Sequence, residues 1–158
     1  MARWSELLAA APELAGFGAE RLAVAPAYLA TVRATGAPRV HPVTPIIGAG
    51  GLFLFMEPTS PKGRDLRERS WYALHNGVPD IRGTGGEFSV IGRAVPVDEP
   101  DVRVAAARAA SYTPADRYVL FELHVAEARC LGYDDVPLPE PRRWTDPSDE
   151  APARRAMS

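Results

Sequence analysis

The residues of this 158-residue chain best placed to do chemistry are two cations and a hydroxyl. Ser60-Pro61-Lys62-Gly63 has the form of a helix start, with a hydroxyl residue at the N-cap and proline at the first helical position. Such a start turns unpaired backbone N–H groups and the positive end of the helix dipole toward one spot, which suits an anion. Lys62 falls in the first turn, where a cation is unfavourable for the bare helix and a bound phosphate reverses the sign. The second cation is Arg39, in the run Arg39-Val40-His41-Pro42-Val43-Thr44. Its planar guanidinium can hold two oxygens of one phosphate through charge-assisted hydrogen bonds. As chemistry, the pair would grip a phosphorylated ligand at one end of a barrel. As structure alone, they are a surface lysine and a solvated strand-edge arginine.

Other candidates are weaker. His41, His75 and His124 lie far apart without metal-ligand spacing, and Cys130 is the single cysteine, so neither a structural zinc set nor an intrachain disulfide is expected. His41 stands beside the cationic strand, whereas His75 and His124 read as packed or solvent-facing. The glycine runs 48–51 and 83–86 lead into strands rather than helices, so they are turns and not a dinucleotide fingerprint. Arg64, Arg67 and Arg69 with Asp65 and Glu68 read as a solvated helix face, with Arg64 a minor addition to a phosphate field. No nucleophile elbow occurs, and the catalytic residues are unknown at this level.

The elements that would position these groups follow from periodicity. Residues 4–22 read as two short helices broken around Pro12 and Gly16. Tyr28–Arg33 and Pro38–Ile47 form a hairpin around the turn 34–37, and Pro42 and Pro45 make the second strand an edge, a bulged strand or one open to a ligand. Leu52–Met56 is an apolar strand buried on both faces. A helix follows from Ser60, then strands at Trp71–His75 and Glu87–Val97, the latter with Gly92 as a bulge or close approach. Pro100–Ala110 is helical, and the alternation in Tyr118–Arg129 marks a sixth, half-buried strand. Six strands with short hairpin links and two inserted helices describe a mainly β, antiparallel barrel with helices rather than an alternating α/β sheet. The chain divides into a helical lead-in (1–27), a barrel domain (28–133) and a Pro- and charge-rich tail (134–158) that is either disordered or wraps a partner subunit.

Composition narrows the class. The 18 Lys and Arg against 20 Asp and Glu, net charge −2, argue against nucleic-acid or polyanion binding, so any phosphate site must be local. No apolar run approaches the roughly 20 residues of a spanning helix, and no signal segment is evident, so a soluble cytoplasmic protein with no membrane partner is expected.

From Tyr28 to Tyr133 the sequence resembles the FMN-binding split-barrel family related to pyridoxamine 5'-phosphate oxidase, with Arg39–Thr44, Phe55–Lys62 and Glu87–Ala94 matching its motifs in order. The resemblance implies a six-stranded antiparallel split barrel and a homodimer in which each flavin sits between the two chains. It implies that Arg39 and Lys62 hold the flavin phosphate, assisted by Ser60, that Val40, His41, Pro42, Val43 and Thr44 line the isoalloxazine, and that Phe55 and Met56 sit beside it. Glu87 stands where the oxidases have a glutamine that reaches the flavin of the neighbouring subunit, and Pro61 replaces an arginine of the phosphate cradle. The oxidases' C-terminal substrate pattern does not align with Arg142-Arg143-Trp144. The function implied is therefore an FMN-dependent oxidoreductase acting by flavin hydride transfer on an unidentified small molecule. Alternatives are a deazaflavin-dependent reductase of the same fold, and a non-catalytic flavin- or haem-binding module.

Overall fold

A computed structural model describes residues 1–24 and 26–149. The elements, in chain order, are helices α1 (Trp4–Ala10) and α2 (Pro12–Leu22), strands β1 (Ala27–Val32), β2 (Pro38–Val43), β3 (Ile46–Gly48) and β4 (Gly51–Met56), helix α3 (Pro61–Glu68), strands β5 (Trp71–Asn76) and β6 (Glu87–Val97), helix α4 (Pro100–Ala109), and strands β7 (Val119–Leu131) and β8 (Arg143–Thr145). One antiparallel sheet runs β2-β1-β5-β6-β7-β4-β3, and β8 pairs with β7 off that path. It is the expected antiparallel split barrel, with more strands than six. The stretch 38–47 is two strands, because Pro45 interrupts the ladder between Val43 and Ile46.

The β4 strand explains the layering. Every residue of Gly51–Met56 is buried, because both of its faces are covered. Leu52, Leu54 and Met56 join the main core with Leu29, Leu74, Phe88 and Leu123, while Phe53 and Phe55 turn to a smaller cluster with Ile46, Ala106 and Leu120 under α4. The lead-in helices belong to the main core rather than standing before it: Trp4, Leu7, Leu14, Phe17 and Leu22 are all buried there, and Trp4 meets Phe88 edge-on at 6.0 Å. Residues 134–149 fold back on the same molecule. Leu138 and Trp144 pack against the core, and β8 completes the pairing with Glu127–Arg129. The rest of the tail, 150–158, lies outside the described residues.

Gly92 produces the expected bulge. The β6–β7 register shifts between Ile91 and Gly92, leaving Ala126 as the surplus residue of β7. A Cβ at residue 92 would lie 1.8 Å from the His124 carbonyl oxygen, so only glycine permits the approach. Among the described residues no helix is long and apolar enough to cross a membrane.

Candidate functional site

The helix start at Ser60 forms as its sequence requires. Ser60 is extended, its Oγ accepts the Gly63 N–H at 3.1 Å, and Pro61 occupies the first turn. Because Oγ accepts that bond, the hydroxyl hydrogen is left to donate elsewhere. The corner is tight: a Cβ on Gly63 would come within 2.9 Å of Ser60 Oγ and 3.3 Å of Met56 Sδ, so Met56 lies directly beneath the helix start.

Alternation along β2 then sorts the expected site residues into two sets. Arg39, His41 and Val43 face inward, opposite Thr31, Leu29 and Ala27 of β1, and Val40 and Pro42 are exposed on the outward face. The inward set meets α3. Arg39 Nε donates to Asp65 Oδ2 at 2.9 Å, and the Thr31 hydroxyl donates to the same oxygen at 2.8 Å. Arg69 closes on Asp65 Oδ1 at 3.5 Å. Burial alone would push the Asp65 carboxyl up, but the Thr31 and Arg39 hydrogen bonds and the charges of Arg39 and Arg69 hold it below the usual carboxylate range. Asp65 is thus buried and networked, which corrects its reading as part of a solvated helix face. Its i, i+4 spacing to Arg69 was visible in sequence; its contact with Thr31 was not.

His41 reports the field at this corner. Burial, then the charges of Lys62 and Arg39, hold its imidazole below the ordinary value against an opposing pull from Asp65. Its Nε2 is shielded from solvent and has no hydrogen-bond partner. Lys62 has no ion pair among the described residues, and Arg39 has both Nη amines free once Nε is engaged with Asp65. Lys62 and Arg39 are thus both near enough to act on His41, whose buried Nε2 is orphaned among the described residues. Such a set fits a phosphate group.

The remaining expected residues lie elsewhere. Thr44 lines a cavity of about 310 Å³ with Leu22, Ile47 and Ala109 at the other end of β2. Phe55 is turned into the α4 cluster, away from Met56, with the Arg103 guanidinium 5.1 Å from its ring centre. Glu87 is on the outward face, its Oε1 2.9 Å from His75 Nε2. The His75–Glu87 pair was not legible in sequence because its partners are twelve residues apart across a loop. Among the described residues no cluster of His, Cys, Asp and Glu could hold a metal ion.

Comparison with known proteins places the fold and the family. No curated protein matches the chain. Solved structures do, at identities that speak for the fold alone. A haem-binding protein from Mycobacterium smegmatis aligns at 17% identity and TM-score 0.59 over 82% of this chain and 57% of its own, so the chain spans little more than half its length. The conserved protein Rv2991 from Mycobacterium tuberculosis aligns at 19% identity and TM-score 0.60, over 75% of this chain and 84% of its own. A putative pyridoxamine 5'-phosphate oxidase from Listeria innocua aligns at 12% identity and TM-score 0.59, over 75% of this chain and 97% of its own. The sequence profile of the pyridoxamine 5'-phosphate oxidase family matches residues 20–132, which spans the whole sheet up to the end of β7 and includes the cationic corner, and the chain therefore belongs to that family.

Proposed function

We propose that the protein is an FMN-binding oxidoreductase whose flavin phosphate is held by Arg39, Lys62 and Ser60, with His41 beside it. The observation that carries this reading is the uncompensated cradle: Lys62 without an acid, Arg39 with free Nη amines, and a buried, unpartnered His41 Nε2. A phosphate there would accept from all of them and relieve the repulsion between the Lys62 and Arg39 charges. Met56, beneath the helix start, limits how deep the ligand can sit. When bound, flavin supplies hydride chemistry at its N5, and the substrate is a small molecule. The chain's own part is to anchor the phosphate and exclude water from the inward face.

A second copy of the chain completes the proposal. Tyr28, Val40, Trp71, Ile91 and Val95 leave an exposed apolar band on the outward face of the sheet, of the kind that a homodimer buries. A cytoplasmic location belongs to the same reading.

The visible spectrum of the purified protein, with mass spectrometry of what it releases on denaturation, tests the cofactor. FMN is expected; a Soret band would substitute haem, and a deazaflavin mass would shift the assignment to the related reductases. Arg39→Ala with Lys62→Ala should abolish FMN binding while leaving the circular dichroism near that of the parent, with the unfolding midpoint lowered by loss of the Arg39–Asp65 bond. Tight FMN binding by that double variant would remove the cradle.

A further inference from the structure

Where β4 ends and β7 begins, two turns lie side by side. Met56 pairs with Val119 at the end of the β4–β7 ladder, so residues 57–60, which lead into α3, stand next to residues 115–118, which lead into β7. The first turn closes with the Ser60 N–H donating to the Glu57 carbonyl at 3.0 Å, the second with the Tyr118 N–H donating to the Ala115 carbonyl at 2.9 Å. A Cβ on Gly63 would come within 3.2 Å of the same Glu57 carbonyl oxygen, so the first turn of α3 rests directly on this residue.

Arginines join the two turns. Arg103 of α4 holds the second: its Nη1 donates to the Tyr118 carbonyl at 2.6 Å and its Nη2 to the Ala115 and Asp116 carbonyls at 3.3 and 3.1 Å. A planar fork can serve three carbonyls at once, which the point charge of an ammonium cannot. Arg117, inside that turn, reaches across to the first, with its Nε 2.8 and 3.2 Å from the two carboxylate oxygens of Glu57. Arg67, at the other end of α3, donates back to the Pro58 carbonyl. A chain of direct contacts therefore runs from α4 through Arg103, the 115–118 turn, Arg117 and Glu57 to Ser60. Among the described residues no hydrogen bond or ion pair links Arg103, Arg117 or Glu57 to Arg39, Lys62 or Asp65.

We propose that Arg103 and Arg117 are positioning residues for the phosphate corner, acting through Glu57 to fix where the Ser60 hydroxyl and the first N–H groups of α3 stand. Arg117 is 65% and Glu57 36% exposed, so their pair adds little to global stability. Its effect is local: it selects one placement of a four-residue turn. A helix start that grips an anion binds better when its donors are set before the ligand arrives, because the ordering cost is then already met by the fold. The inference rests on the flavin reading for its ligand; the setting of the turn is separable from it.

FMN titration and amide hydrogen exchange of the full chain test the linkage, with Glu57→Gln as the deciding variant. That change removes a negative charge, so a field acting at a distance would tighten FMN binding, whereas loss of positioning weakens it. FMN affinity should fall about threefold, within the range of an exposed ion pair, and the Ser60 and Gly63 amides should exchange about threefold faster while those of Phe88 and Leu123 keep the parent rates. Arg117→Gln should do the same and add nothing when combined with Glu57→Gln. Arg117→Lys, which can still pair with Glu57, should restore the parent values, and Arg103→Lys should loosen both amides, since one ammonium cannot serve three carbonyls. Tighter FMN binding in Glu57→Gln, additive losses in the double variant, parent exchange rates at Ser60 and Gly63, or equal acceleration at Phe88 and Leu123 would overturn the proposal. If the parent chain itself does not bind FMN, the flavin reading falls and the exchange rates alone decide this one.

Discussion

Two buried carboxylates, Asp65 and Glu122, show how alike clusters differ in what they leave over. Glu122 is 8% exposed and takes Arg3 Nε at 2.7 Å and His124 Nε2 at 3.6 Å. Burial raises its pKa, but the His124 and Arg3 hydrogen bonds and charges bring it below the ordinary value. Asp65, 4% exposed, is held down in the same way by Thr31, Arg39 and Arg69. The difference lies around them. Among the described residues the Glu122 cluster leaves no buried side-chain atom unpartnered, whereas the Asp65 corner adds a Lys62 without an acid and an orphaned His41 nitrogen. A closed account marks a structural clasp; a surplus of one sign marks a place for a ligand.

The strongest way to break that distinction is to remove Asp65. Asp65→Ala strips a buried acceptor from Thr31, Arg39 and Arg69 and should cost on the order of 3 kcal/mol in urea unfolding. Inorganic phosphate, standing in for the lost anion, should recover part of that loss. Glu122→Ala should cost less, about 2 kcal/mol, since Arg3 is half exposed and can return to water, and phosphate should restore nothing. Equal recovery in both variants would show that the two corners are of one kind.

The smallest effect is read by titration. Asp65 and Glu122, with folded pKa values below those of the unfolded chain, contribute stability that is full above about pH 4 and lost as pH falls through the folded values. His41 acts over a higher window. Its lowered pKa means that below about pH 6.5 the unfolded chain takes up a proton that the native state resists, so stability declines as pH falls toward the folded value. Bound phosphate or FMN should raise the His41 pKa, seen in the imidazole NMR shifts.

Much of this was legible in sequence because it rests on local rules. Ser60 and Pro61 announce a helix start wherever they stand before a helix-forming run, Gly92 marks a bulge within a strand pattern, and the alternation in Tyr118–Arg129 marks the strand observed at Val119–Leu131. What was not legible depends on register. Asp65 sits among Arg64, Arg67, Glu68 and Arg69, so its burial against Thr31 is decided by how α3 lies on β1. Splitting Arg39–Thr44 between the two faces of the sheet, and bringing Glu87 diagonally to His75, likewise required the pairing of strands distant in sequence. The β8 strand was hidden because three residues in a Pro- and Arg-rich tail carry no period.

The surplus residue Ala126 has a wider consequence. Leu123 and Val125 are buried before it, Ala128 and Cys130 after it, while Arg129 is exposed. One additional position thus switches odd-numbered residues of β7 from interior to exterior partway along a single strand. Without that offset the second half of the strand would carry its arginine into the barrel and its small residues into water. In this molecule the offset at one position, more than the identity of any one residue, keeps oil and charge apart, and removal of Ala126 would leave an unbroken alternation in which Arg129 still faces outward.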